Sequence, residues 1–596
     1  GLEPNPKADK ETLLKRVYLD IIGLLPTVEQ QEAFLNNESQ NAYEEVVDVL
    51  LTNKHYGEKM AVAWLDLARY ADSHGYQDDG LRTMWPWRDW VIHAFNSNYT
   101  YDKFITWQVA GDMIPNSNKE SVLATGFNRN HKITQEGGVI DEEYRIEYVT
   151  DRTNTFGKGL LALTFECAKC HDHKYDPISQ KDYYSTFTFF NQVPEKGLQG
   201  TIDASFADPP SIAISNEEAS SILDFINKKD SMPVEVMVMR DSSVYRNTYV
   251  LDRGMYDSPT DEVSFDLPES ILKFDTSQFE SNRLGLAKWL VDDRNPLTAR
   301  VYVNRIWQQF FGSGIVRTTG DFGMQGELPS HPELLDWLAV DFKNNDWDIK
   351  RLVKEIVMSS TYQQSSEVAD IHIKIDPENT YLARSSRLRM PAEMIRDLAL
   401  YTGGILNEEI GGASVKPYQP DGIWEVASSG RGLLKTYVQD HGDDLYRRGM
   451  YVFIKRTVPP PSMLIFDASN RDQCEVTRMS TSTPLQALIM MNDPTILESA
   501  RVLSERLSGS GQSDIENIKY AFRKIICRNS TNEESSILED FYQNELTSFS
   551  NNDARAYDLL SSGEYPCDIY TNTPQKAALM NTILLMYNME EAIVKV

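Results

Sequence analysis

The sequence predicts a mainly α protein of two helical domains packed together and joined by an irregular connector with short β-strands. Three observations predict it. Apolar residues recur at three- and four-residue spacing from residue 11 to 195 and again from 280 onward. Helix-start signals of the Ser-x-x-Glu, Thr-Pro and Asp-Pro kind punctuate the second stretch. Between the two, residues 196–279 lose the helical period and gather Asp, Ser and Pro. A chain of 596 residues is too long for one ordinary core. The expected units are a helical domain at 1–195 carrying a Cys-x-x-Cys-His motif, the connector at 196–279, and a helical C-terminal domain at 280–596.

In the first unit, Met60, Ala61, Trp64, Leu65 and Ala68 form a core-facing stripe on a helix over 57–73, with Asp66, Arg69 and Tyr70 together on it. Residues 70–80 then read as a polar loop dense in Tyr, Asp and His, and Asp72 and His74 are candidate catalytic groups. The aromatic cluster Trp85, Trp87 and Trp90 follows. After Gly137 and Gly138, Glu143, Glu147 and Asp151 recur every four residues and put three carboxylates on one helix face. Such a face is solvated, paired with bases, or bound to a cation. A further helix is expected from Phe156 to Cys170.

That helix leads into the one Cys-x-x-Cys-His of the chain. Two thiols at this spacing can each form a thioether to a haem vinyl, with the next imidazole beneath the iron. Cys167 and Cys170 would tether haem c and His171 would ligate its iron. Two other readings stay open: a disulfide or dithiol, and half of a zinc site that includes His173. His74, His131, His173 or Met113 could supply a distal ligand, or that position is open. Cys474, Cys527 and Cys567 leave an odd count, with Cys527 and Cys567 either bridged or, like Cys474, plain buried thiols.

In the connector, Val234–Met239 and Thr248–Leu251 read as short strands. Beyond it, an amphipathic helix over 297–311 stops at Gly312. Ser330-His331-Pro332-Glu333 has the capping-box form and starts a helix running to about Lys343. Thr483-Pro484 and Asp493-Pro494 announce two more helices. His331, kept neutral by the helix dipole, and Arg305 are the remaining candidate catalytic residues. Arg384, Arg387, Arg389, Arg447, Arg448, Lys455 and Arg456 gather in an otherwise acidic chain. They would meet haem propionates, a sulfated or uronic sugar, or the acidic half of the same protein.

A net charge of −29 argues against nucleic-acid and anionic-membrane partners, and no apolar run is long enough to make a transmembrane segment. No export signal is visible at Gly1-Leu2-Glu3. Covalent haem requires maturation outside the cytoplasm, so a periplasmic, cell-surface or secreted location is expected, the signal being removed or lying upstream.

The segments RVYLDIIGLLPT, HYGEKMAVAWLDLARYADSHGY, CAKCHDHKYDPISQKDYY, NPLTARVYVNRIWQQFFG and STPLQALIMMNDP resemble the paired domains of the planctomycete-type cytochrome c family. The likeness covers about 1–195 and 280–590. It implies a large exported protein whose N-terminal half carries Cys-x-x-Cys-His and whose C-terminal half has no assigned function. Members commonly begin with a signal and a separate small cytochrome c domain, so a redox partner of that kind is expected upstream. They also resemble proteins found near sulfatases and glycoside hydrolases, which implies a carbohydrate context.

The leading functional expectation is an extracytoplasmic c-type haem redox protein, an oxidoreductase acting on a carbohydrate substrate in polysaccharide breakdown. The alternatives are a carbohydrate-active hydrolase or lyase, and a non-catalytic glycan-binding surface protein that stacks sugars on Trp85, Trp87 and Trp90. In both, the motif is a disulfide or metal site. Under the leading reading, Tyr70, Asp72, His74 and Tyr76 converge with Asn304, Arg305 and His331 on a cleft between the halves, near His171.

Overall fold

The computed structural model describes residues 2–198, 200–215, 218, 233–568, 570, 571 and 573–596. They form a mainly α molecule with few, short strands. Helix starts follow local chemistry. Thr27 and Gln30 cap Val28–Leu35 reciprocally, Gln486 Oε1 accepts from Thr483 N–H at 3.2 Å at the head of Pro484–Asn492, and Asp493 accepts from Thr495 N–H at the head of Pro494–Ser508. One start is built otherwise than expected. His331, not Ser330, precedes Pro332–Asn344, and no side chain caps that helix. Ser330 is drawn back instead to the Ile315 carbonyl, its N–H at 2.9 Å and its hydroxyl at 3.3 Å.

Helix Thr298–Phe311 stops at Gly312 as expected, in the left-handed conformation at φ +82°. A Cβ there would lie 2.2 Å from the Leu388 side chain, so only glycine ends this helix without displacing its neighbour. Within 196–279, Ser211–Ile214 pairs antiparallel with Val234–Met237, and Thr248–Leu251 with Pro259–Val263. A third pair ties Leu388–Arg389 to Val594–Lys595 near the C-terminus.

Two large apolar clusters hold the molecule. The first takes side chains from Leu13 to Tyr362 and adds Ile410, Val415, Met450, Tyr451 and Cys474. The second combines Leu19 and Leu25 with residues from Met390 to Tyr587. Each cluster draws on chain from both sides of the connector, and Tyr101 stacks on Tyr302 at 3.7 Å inside the first. The tryptophans belong to this interior too. Trp87 and Trp90 are fully buried and Trp85 is 8% exposed; Trp87 donates to the Ala124 carbonyl and Trp90 stacks on Phe104. They are core residues, which corrects their expected role as sugar-stacking platforms.

Charge also joins the two sides. Arg448 reaches Glu58 and Asp397, each at 2.7 Å. Asp66 accepts from Arg471 at 3.0 Å and Arg478 at 2.6 Å. Arg456 donates to the carbonyls of Arg69, Ser73 and His74. Arg447 donates to those of Glu409 and Gly411, and Lys455 to that of Leu434. The basic residues around 450 are thus taken up inside the fold.

All five cysteines are free. Of the two readings for Cys527 and Cys567, the bridge is absent and the thiols are free: Cys527 is packed in the second cluster at the end of Asp514–Ile526, whereas the Cys567 thiol lies against Glu505. Among the described residues no helix is long and apolar enough to cross a membrane.

Candidate functional site

The carboxylate helix Asp141–Phe156 does not run on to Cys170. It passes into a π-helical turn, Gly157–Leu161, then breaks at Ala162, where φ is +51°. A 3-10 turn, Phe165–Lys169, follows. The Phe165 ring packs on Gly157, where a Cβ would stand 2.6 Å from it. Arg305 donates to the Lys158 and Gly159 carbonyls, and Phe322 N–H to that of Ala162 at 2.7 Å. The opened turn therefore has partners for its freed carbonyls. Departures of this kind from the α-helix recur at functional sites.

Cys167, Cys170 and His171 all lie exposed on the turn that results. Burial and the nearby Glu166 raise the Cys167 thiol pKa, so this sulfur stays protonated near neutrality. His171 Nδ1 sits 2.7 Å from the Asp172 carbonyl, which can only accept. Nδ1 therefore carries the proton and Nε2 is left as the ligating nitrogen. Helix Gln180–Thr188 pins the turn, since Gln180 and Tyr184 both donate to the Lys169 carbonyl at 3.0 Å. Gly254, at φ +76°, closes over Cys170, and a Cβ there would lie 3.2 Å from its sulfur. His173 faces inward. Its Nδ1 accepts from Asp176 N–H at 2.8 Å, so Nε2 donates to Thr164 at 3.0 Å, and neither nitrogen is left for a zinc site with the thiols.

The donor set fits thioether attachment and axial ligation of haem: two free thiols at the required spacing, then an imidazole presenting a bare Nε2. The fringe mixes the exposed charges Glu166, Asp172, Lys174 and Arg253 with exposed apolar side chains. Tyr175, Met255 and Met324 are 50%, 53% and 76% exposed. Tyr175 follows the motif, Met255 follows Gly254, and Met324 N–H donates to Asp176.

Beside the turn lie two adjoining cavities of about 360 and 700 Å³ that share Lys158, Glu166, Asp472, Gln473 and Cys474. The smaller is walled by Tyr76, Glu147 and Asp151, the larger by Thr164 and residues 317–321. Most charges in this cleft are matched: Glu147 with Lys169 at 2.7 Å, Asp151 with Arg69 at 2.8 Å, and Asp472 with Lys132 at 3.0 Å. Lys158 and Glu166 have no hydrogen-bond or ion-pair partner among the described residues and stand open to the cleft. Burial pushes the Cys474 thiol up to about 11 although Arg69, Arg305 and Lys158 oppose it, so it offers a neutral S–H rather than a nucleophile. The cleft is suited to hydrogen-bonding a polar, hydroxylated ligand, with Lys158 as an open cation and Glu166 and Glu475 as open carboxylates among the described residues.

Residues 1–195 match the family model PSCyt2, a protein of unknown function (DUF1549), and residues 282–542 match PSD1, a protein of unknown function (DUF1553). The chain belongs to the planctomycete family that pairs these domains. No curated protein and no solved structure matches it. In this PSCyt2–PSD1 chain the Cys-x-x-Cys-His turn is a PSCyt2 feature, and residues 470–477 of the cleft wall come from PSD1.

Of the residues singled out in sequence, Tyr76, His131, Glu147, Asp151 and Cys474 line the smaller cavity, whereas the four catalytic candidates lie outside the cleft. Asp72 is buried and accepts from Tyr70 OH and Ser414 OH at 2.7 Å and from Ile454 N–H at 2.9 Å. His74 is fully buried with Nε2 on the Phe206 carbonyl; burial and the Arg82 guanidinium hold it neutral, well below the usual histidine range. Arg305 lies beneath the π-turn. Half-buried His331 contacts Ser330 at 3.0 Å. None of the four lines the cleft. Among the expected distal ligands, His131 donates to the Lys132 carbonyl and accepts from Arg152, and Met113 packs against the first cluster. Sequence reasoning passed over Lys158, Glu166 and Gln473. Glu166, inside the motif segment itself, was the most findable.

Proposed function

We propose that this PSCyt2–PSD1 chain is an extracytoplasmic c-type haem redox protein, an oxidoreductase acting on a carbohydrate in polysaccharide breakdown. One observation carries the reading: two exposed, unbridged thiols with two residues between them, followed by an imidazole whose Nδ1 is fixed on a backbone carbonyl. When bound, haem supplies one-electron exchange. Cys167 and Cys170 would hold it covalently and His171 Nε2 would ligate the iron. The Asp172 carbonyl fixes the imidazole plane, and Gly254 leaves the second sulfur its room. The carbohydrate would occupy the polar cleft, with Lys158 and Glu166 binding hydroxyl or charged groups within reach of the turn. A separate redox partner would relay the electrons.

The test is expression with export in a host that matures c-type cytochromes. A Soret band that survives acid and organic extraction, with an intact mass one haem above the polypeptide, is the expected result. Bare polypeptide mass in that host sinks the reading. The unpaired Glu166 supports a second reading, a carbohydrate-active hydrolase using the cleft carboxylates as acid and base. Turnover of a polysaccharide by haem-free protein, abolished in Glu166→Gln, would decide for it.

A further inference from the structure

On the other side of helix His55–Leu67 from the aromatic core, a separate cavity of about 250 Å³ opens between the two sides of the molecule. Leu19, Val62, Ala63, Leu388, Met394 and Val476 give it largely apolar walls. Lys59 also lines it. Its stem lies on Gly23, at φ +71°, where a Cβ would come within 3.3 Å of Lys59 Cδ. The Lys59 amine makes no hydrogen bond or ion pair among the described residues.

The lack of a partner does not come from a shortage of acids: Glu475 also lines the cavity but makes no ion pair or hydrogen bond with Lys59, and the other carboxylates facing this region are already matched. Asp20 accepts from Lys595 at 2.7 Å and from Tyr362 OH at 2.6 Å. Glu393 holds Arg478 through two bonds of 2.8 Å, and Asp66 takes Arg471 and the same Arg478. Glu58 and Asp397 share Arg448. Arg389, which also borders the cavity, is held by Asp467 at 2.5 Å. Of the cations lining this cavity, Lys59 alone has no partner among the described residues. Burial lowers its pKa to about 8, with Asp20 opposing and Lys595 and Arg448 adding to the fall. At pH 7 the amine is therefore still mostly protonated, a partly buried cation facing the cavity without an ion-pair partner among the described residues.

We propose that this cavity binds a monoanionic ligand with an apolar body, an aliphatic carboxylate being the simplest member, its charge pairing with Lys59 and its chain lying against Leu19, Val62 and Met394. Such a ligand supplies the missing counter-ion and fills the apolar space, and because the walls come from both sides of the connector it also fastens them together. The site is independent of the haem-type turn and of the reading proposed there.

The experiment uses the full chain with hexanoate and its neutral counterpart hexanol, read by thermal unfolding. At pH 7 hexanoate raises the midpoint several-fold more than hexanol does. That advantage shrinks as pH passes from 7 to about 9.5, because Lys59 loses its proton over this range. Lys59→Met abolishes the difference between the two compounds, and Lys59→Arg keeps it. In wild-type protein, acetylation of Lys59, followed by peptide mass, slows at least threefold when hexanoate is present. This last measurement stands even where a variant folds poorly. Equal responses to hexanoate and hexanol, a hexanoate response retained in Lys59→Met, or acetylation of Lys59 indifferent to hexanoate would each overturn the proposal.

Discussion

Two polar regions of this chain behave in opposite ways. The seam between its two sides contains Glu58, Asp66, Asp72, Asp79 and Glu393, all buried. Each of them meets a donor from beyond residue 410: Arg448, Arg471, Ser414, Thr457 and Arg478. The Cys-x-x-Cys-His turn and its cleft are as rich in polar chemistry, but there the thiols, His171 Nε2, Lys158 and Glu166 are left open. Both regions read alike as strings of Asp, His and Tyr. The difference lies in whether a distant segment has claimed the side chains, and open groups held on a rigid support mark a binding site better than dense ones do.

Acid should separate the regions most strongly. Burial alone would raise the Glu58 carboxyl, but Arg448 and His55 outweigh it and hold it down to about 2. Glu393 is also held at about 2, against burial, chiefly by Arg478. A depressed carboxylate gives stability that is fully present above its unfolded value near 4.5 and is lost as pH falls toward 2. The loss is roughly 3 kcal/mol for Glu58. His55, with its pKa raised by Glu408 and Glu58 in spite of burial, has the opposite sign. Its contribution is intact in acid and fades as pH rises through its folded value. Urea unfolding from pH 6 to about 2.5 should show a steep loss of stability that Glu58→Gln flattens. An unchanged slope in that variant would mean that the seam is no more committed than the cleft.

Asp72→Ala comes next. It strands the buried donors of Tyr70, Ser414 and Ile454, at a cost of roughly 3–5 kcal/mol in denaturant unfolding. A loss below about 1 kcal/mol would place residues 70–80 among the open loops.

These contrasts bear on what was legible in the sequence. Helix starts at Thr483 and Asp493, the stop at Gly312 and the two strand segments were readable because each depends on neighbours within a few residues. Ser330 misled because its capping choice was settled by Ile315, fifteen residues away. Glu147 and Asp151 do share a helix face as their spacing required, but the bases they meet, Lys169 and Arg69, are set by a π-turn and a left-handed Arg69 that no period announces. The four catalytic candidates were chosen for residue type. Partners hundreds of residues away, such as Ser414 and Ile454 for Asp72, cannot be read from type.

Cysteine replacement tests the open side of the comparison. Cys167→Ser or Cys170→Ser should change unfolding stability by no more than about 0.5 kcal/mol, since both thiols are exposed and unbridged. In a cytochrome-maturing host, each should reduce covalent haem to a residual single-thioether fraction or to none, read by extraction-resistant absorbance. Gly254→Ala should lower the attached fraction as well, because its methyl group would crowd Cys170. Full attachment in all three variants would mean that the turn does not hold the group.

The smallest effect belongs to His331, and it is informative because the residue belongs to neither region. It precedes helix Pro332–Asn344 without capping it, its imidazole has Ser330 as its one hydrogen-bond partner among the described residues, through Nδ1, and it lines neither cavity of the cleft. An imidazole so placed protects no buried donor and closes no helix, so His331→Ala should shift stability by less than about 0.5 kcal/mol. Ligand affinity measured in the cleft should not change, whereas Lys158→Met or Glu166→Gln, equally mild for the fold, should weaken it several-fold. A loss of binding in His331→Ala comparable to that in Glu166→Gln would show that the loop 315–331 closes onto the cleft when ligand arrives, and the boundary between claimed and open groups would then have to be redrawn to include the start of that helix.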